Sequence, residues 1–168
     1  MNTKSKKGFT IIEVVLVLAI AGLIFLMVFI ALPNMQRSQR DTQRRNDYAA
    51  LSAAMTQYIT NNNGNLPSSL SSTDSVNYIN ESGKDPNGLT YDLKLKVCAS
   101  GSDKCGISVT EMPAKATRDN ATVVFVVKNA ICDDTVSPSV PKYVKSNRAY
   151  AVFGQTEAGT GTYCQSNN

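Results

Sequence analysis

Residues 9–32 read FTIIEVVLVLAIAGLIFLMVFIAL, preceded by Lys6-Lys7-Gly8 and followed by Pro33-Asn34. From Val14 to Leu32 there are 19 residues without a charge. As a helix at about 1.5 Å per residue they cover roughly 28 Å, close to the hydrocarbon thickness of a bilayer. The stretch is long enough to span. A cleaved secretory signal would also pair a basic start with an apolar run, but its apolar part is shorter, and no small-x-small site follows Leu32. A plain signal anchor accounts for the lysines and the length. It does not account for Glu13.

A carboxylate near the start of a spanning helix is costly, about 2.5 to 3.5 kcal/mol at the helix centre and less toward the interface. It calls for a partner. A cut between Gly8 and Phe9 would create a cationic α-amino group four residues before Glu13, and positions four apart are neighbours on a helix face. The amine of the same chain or of an adjacent copy could then neutralise the carboxylate. The alternative is an interfacial Glu that snorkels or stays protonated.

Lys6-Lys7-Gly8-Phe9-Thr10-Ile11-Ile12-Glu13, continuing through Val14-Val15-Leu16-Val17-Leu18-Ala19-Ile20-Ala21-Gly22, resembles the class III signal of type IV prepilins and pseudopilins. The motif covers about 25 residues, and the family architecture would cover the whole chain. The resemblance implies that a prepilin peptidase/methyltransferase cuts after Gly8 and N-methylates Phe9. It implies that Glu13 docks a subunit through a neighbour's terminal amine. One departure stands out: the family's helix-kinking proline would fall at Ile30, whereas the proline here is Pro33. Three residues turn a helix by about 300°, so the buried face is kept while the kink is displaced.

Composition agrees with a structural role. The net charge of +4 owes three units to Lys4, Lys6 and Lys7, and loss of residues 1–8 would leave 14 basic against 13 acidic residues. A near-neutral product is a poor match for nucleic acid as the main partner, which needs basic residues massed on one face. There is no histidine, which removes the commonest general base and metal ligand. No enzymatic activity and no cofactor are expected. The leading lysines put the N-terminus in the cytoplasm, although Arg37, Arg40, Arg44 and Arg45 beyond the run oppose this and Asp41 and Asp47 offset two of them. These arginines read as a solvated stem, as contacts with neighbouring subunits or lipid headgroups, or as a DNA site. No interleaved aromatic supports the last.

Beyond Pro33, residues Tyr48, Leu51, Met55, Tyr58 and Ile59 repeat at helical spacing with Ala49, Ala50, Ala53 and Ala54 between them. An amphipathic stem helix over 33–62 follows, ended by Asn61-Asn62-Asn63-Gly64 and Pro67. Residues 65–88 read as loop with one short helix around 73–79, and Asp85-Pro86-Asn87-Gly88 has strong turn chemistry. That turn also resembles one in pseudopilins of type II secretion systems. An ordinary turn is the favoured reading, and too few carboxylates adjoin it for a metal.

Strand signals run over 89–99, 106–111, 121–128 and 149–154, with a last one near Tyr163. Four strands fit one antiparallel sheet with the stem stripe across one face, so the expected fold is α+β and pilin-like. Domain bounds are then a leader 1–8, a transmembrane and assembly helix 9–32, a stem 33–62 and a head 63–168. Cys98 and Cys105 flank a short polar loop and Cys132 and Cys164 bracket the C-terminal stretch, so of three connectivities Cys98 with Cys105 and Cys132 with Cys164 is favoured. Closing the longer loop contributes about 3 to 4 kcal/mol. The resemblance implies that the loop so closed faces outward. Four free cysteines in a reducing compartment is the other reading. Asn120-Ala121-Thr122 fits the minimal glycosylation pattern but begins a strand signal.

The resulting expectation is a type IV pilus-like filament subunit, held in the cytoplasmic membrane before assembly and on an extracellular pilus or extracytoplasmic pseudopilus after it. Its partners would be the processing peptidase, copies of itself, other pilins and, before assembly, membrane lipid. The alternative is a pseudopilin of a type II secretion or DNA-uptake apparatus. A more distant one is a signal-anchored extracytoplasmic binding or enzymatic domain.

Overall fold

The computed structural model describes residues 8–70, 84–101, 105–107, 122–135, 139–157 and 161–167. The chain divides into two units between Gln36 and Arg37. A single helix, α1 (Ile11–Asn61), begins in the first and continues through Pro33 into the second. Proline removes one helical hydrogen bond, yet the helix carries on past it.

In the first unit α1 is apolar on every side and none of its most hydrophobic window is buried, so it is long and apolar enough to cross a membrane. A helix apolar all round is one that is buried, in a large core or in a membrane.

The second unit is an α+β head. Its main sheet joins β1 (Asp92–Val97), β2 (Val123–Lys128), β5 (Tyr150–Gln155) and β6 (Thr162–Ser166) in the order β1-β2-β5-β6. A separate antiparallel hairpin joins β3 (Ala130–Asp133) to β4 (Val140–Tyr143). The α+β architecture is the one expected from sequence, but the main sheet is mixed instead of wholly antiparallel. β1 runs parallel to β2, with Leu93 opposite Val124 and Leu95 opposite Val126. The connection over 98–122 exceeds the dozen or so residues that a parallel crossover requires. The β3–β4 hairpin had no clear sequence signal, being two four-residue strands broken by Pro141 and Asp133-Asp134. The expected helix at 73–79, most of the expected strand 106–111, and Asn120-Ala121 lie outside the described residues.

The sheet is covered on both faces. Val124, Val126, Tyr150 and Val152 turn toward Tyr48, Leu51 and Met55 of α1, with Tyr91 completing this core. The alternate residues Phe125, Val127, Ala151 and Phe153 form a second core with Cys98, Cys105 and Ala130, onto which Cys132, Val140, Tyr143 and Cys164 pack. Burial on both faces explains why β2 reads VVFVV without polar alternation. The cysteines pair as Cys98–Cys105 and Cys132–Cys164, leaving none free. The second bridge encloses β5, a strand buried at all six positions, so the segment between Cys132 and Cys164 supplies a central strand.

The stem ends as its Asn-Gly sequence predicts. Asn63 takes a left-handed φ of 55°, and Gly64 N–H donates to Ile59 O at 2.8 Å. This is the 6→1 bond of a Schellman end. Arg148 packs so closely over Gly64 that a Cβ there would lie 2.5 Å from its Nε.

Candidate functional site: the helix start and the charged node of the stem

Gly8, Phe9 and Thr10 precede the first helical residue, and the Phe9 side chain is 90% exposed. The Glu13 carboxylate folds back over the helix start. Its Oε2 accepts from Thr10 N–H at 2.9 Å and from Thr10 Oγ1 at 2.8 Å. Glu13 is thus the N3 half of a capping box whose N-cap is Thr10, and it satisfies a backbone donor that the helix leaves unpaired. Phe9, Glu13, Val14, Val17 and Leu18 share one face. In this uncut chain the Phe9 nitrogen is a peptide amide with no charge, and among the described residues Glu13 is partnered by Thr10.

The second concentration of charge lies in the head. Arg44 is fully buried. Its Nη1 donates to Asp41 Oδ1 at 3.0 Å and pairs with Glu157 Oε1 at 2.9 Å, and its Nη2 lies 3.7 Å from Asp85 Oδ2. Arg40 donates from Nε and Nη2 to both Glu157 oxygens, at 2.9 Å and 2.7 Å for the shorter contacts. Glu157 N–H in turn donates to Asp41 Oδ1 at 2.8 Å. Asp85 Oδ1 accepts from the Asn87 and Leu89 amides, and its Oδ2 accepts from Thr122 Oγ1 at 2.8 Å. One guanidinium therefore ties together α1, the Asp-Pro-Asn-Gly turn and the loop after β5.

This geometry shows where three of the four stem arginines point. Arg44 is internal and Arg40 is paired with Glu157, so neither offers a free positive charge outside the head. Arg45 stacks on the Tyr163 ring, 5.3 Å from its centroid. The Asp85 turn is likewise committed inward, its carboxylate spent on its own backbone, Thr122 and Arg44. Among the described residues no group of three His, Cys, Asp or Glu side chains is placed to hold a metal.

Desolvation pushes the Glu157 carboxyl up, but the hydrogen bonds and charges of Arg40 and Arg44 outweigh it and hold the group below its ordinary value. A depressed folded-state pKa means that Glu157 adds stability above the unfolded-state value of about 4.3, and that this is lost as pH falls through the folded value. Between about pH 5 and pH 3 the urea midpoint of the head should drop more steeply in the wild type than in Glu157→Gln. Equal slopes would mean that Glu157 is not linked to folding.

Sequence reasoning singled out Gly8, Phe9 and Glu13 but did not connect Arg44 with Asp85 and Glu157. The i,i+3 spacing of Asp41 and Arg44 was visible. Nothing in the sequence marks residues 41 and 116 positions apart as their partners.

No curated protein and no solved structure gives a significant match to the chain. The methylation signal, the unburied apolar helix and the two disulfides support a type IV pilin-like or pseudopilin protein. Residues 3–29 match the family model described as the prokaryotic N-terminal methylation motif, so this chain carries a type IV prepilin-type signal.

Proposed function

We propose that the chain is a structural subunit of a type IV pilus-like filament, made as a prepilin, cleaved between Gly8 and Phe9 and N-methylated on Phe9. The observation that carries this reading is the methylation motif at residues 3–29, set on a helix whose apolar surface is unburied among the described residues. The motif implies processing by a prepilin peptidase and assembly with other pilins. The precursor waits in the cytoplasmic membrane with its N-terminus inside. Cleavage gives Phe9 a cationic amine, and residues 9–32 leave lipid to pack against like helices, with heads outside.

In this reading Glu13 has two successive partners. Thr10 satisfies it in the precursor through Oε2, and the Phe9 amine of a neighbouring subunit takes the charge on assembly. Glu13→Gln is expected to insert in the membrane normally but to enter filaments at least about tenfold less well, since a charged partner is lost from an apolar setting. Immunoblots of sheared filament and membrane fractions read both quantities. Normal incorporation of the variant would remove Glu13 from the mechanism.

N-terminal sequencing with intact mass, on protein extracted from membranes of its own host, tests the reading directly. A chain beginning at methylated Phe9 supports it. A chain still beginning at Met1 leaves a signal-anchored domain. Immunolabelling then separates a pilus subunit, which decorates long surface fibres, from a pseudopilin of a secretion or uptake apparatus, which does not.

A further inference from the structure

The C-terminal end of the stem, the start of β5 and the ends of β2 and β6 converge at one end of the head. Arg148 packs over Gly64 at the stem stop. Asn167, just after β6, donates from Nδ2 to Arg148 O at 2.9 Å and accepts at Oδ1 from Tyr150 N–H at 3.0 Å. Asn129, just after β2, reaches the same turn. Its N–H donates to Ala149 O and its carbonyl accepts from Val144 N–H, each at 2.9 Å.

Residues 56–66, 126–131, 143–151 and 163–167, which build this end, include Lys128, Lys145 and Arg148 and no Asp or Glu. Among the described residues its charge is wholly positive. Lys145 and Arg148 are exposed and Lys128 is half-buried. Among the described residues none of the three has a carboxylate in ion-pairing range, in contrast to Arg40 and Arg44. Loss of solvation pushes the Lys128 pKa below its ordinary value, and no anion of the head offsets this. An anion from outside the chain would.

The neutral polar side chains beside these cations are largely amides: Asn61, Asn63 and Asn65 at the stem end and Asn147 in the turn are exposed. An amide both donates and accepts hydrogen bonds, as a sugar hydroxyl does. The aromatics of these segments, Tyr58, Tyr143, Tyr150 and Tyr163, are each half-buried or buried, so among the described residues no open ring is offered for stacking on bases. We infer that this end of the head binds an acidic polysaccharide of the uronate type, its carboxylates held by Lys128, Lys145 and Arg148 and its hydroxyls by the asparagine amides. The inference stands apart from the filament reading, because unassembled chain suffices to test it.

Biolayer interferometry of the full chain in non-ionic detergent micelles over immobilised polygalacturonate tests it, with dextran as the neutral polymer and duplex DNA as the rival polyanion. The chain should bind polygalacturonate and not dextran, and raising NaCl from about 50 to about 300 mM should weaken binding at least about fivefold. Lys128→Gln/Lys145→Gln should raise the Kd at least about tenfold, and Lys145→Gln alone, at an exposed turn position, at least about threefold. Arg37→Gln/Lys94→Gln, with the same loss of charge elsewhere, should change it by less than about twofold. Equal losses in the two double variants overturn the site, since net charge alone would then account for binding. Failure to bind polygalacturonate overturns it as well, and tighter binding to duplex DNA would assign the patch to nucleic acid instead.

Discussion

Arg44→Ala should lower the unfolding free energy of the head by about 3 to 5 kcal/mol, whereas Arg40→Ala should cost about 1 kcal/mol or less. The contrast comes from burial. The Arg44 side chain is wholly enclosed, and its removal would leave the buried Asp41 and Asp85 and the partly buried Glu157 as neighbouring carboxylates without their central cation. The Arg40 side chain is about one third exposed, so water replaces much of what it gives to Glu157. Burial alone would push the Arg44 pKa down, but hydrogen bonds and charge from Glu157 and Asp41 raise it, so Arg44 stays a cation. Urea unfolding followed by tyrosine near-ultraviolet circular dichroism gives both numbers. Similar small losses would show that the carboxylates find water or protons once Arg44 is gone, and that the node does not hold the Asp85 turn to the stem.

Gly154→Ala should destabilise the head by about 3 kcal/mol, the upper part of the range for overpacking a filled core. A Cβ at Gly154 would run into Tyr48, reaching its Cζ, with Cε2 at 2.6 Å and the hydroxyl oxygen at 2.8 Å. The ring cannot retreat easily. Its hydroxyl is bound to the Gln155 carbonyl, it stacks on Tyr163, and it meets Tyr91 edge-on with centroids 6.3 Å apart. Gly154 is therefore a notch in β5 that lets α1 approach the sheet. A double-mutant cycle is the decisive measurement: in a Tyr48→Ala background the cost of Gly154→Ala should fall by at least about 1 kcal/mol. Additive losses would place the cost in the strand itself and not in the contact.

These two residues mark the limit of what could be read from the chain alone. Phe9 to Leu32 is legible because its length and lack of charge are one-dimensional quantities, and a bilayer selects on them directly. The stem stripe at Tyr48, Leu51, Met55 and Ile59 is legible because helical period is a local property. The Asn63-Gly64 stop is legible because a left-handed φ selects residue type locally. The strands over 92–97, 123–128, 150–155 and 162–166 were visible in outline from their β-branched and aromatic content. Their pairing was not, since a parallel β1–β2 edge and an antiparallel one have the same alternation, and only the path of the intervening chain separates them.

Charge was the least legible feature. Arg37, Arg40, Arg44 and Arg45 look alike in sequence, yet one is sealed in the head, one shares Glu157 and one lies over a tyrosine ring. Their difference arises from residues brought in from Asp85 and Glu157, and no periodicity encodes contacts at that separation. Gly154 reads as the end of a strand until Tyr48 is seen to rest on it. By itself the sequence determined the methylation signal, a helix long and apolar enough to span a bilayer, the stem face and the α+β class, because each follows from the spacing of neighbouring residues. Only the tertiary structure decided the mixed sheet, its second core and the buried Arg44 node, because burial and pairing depend on which distant segments close around a side chain.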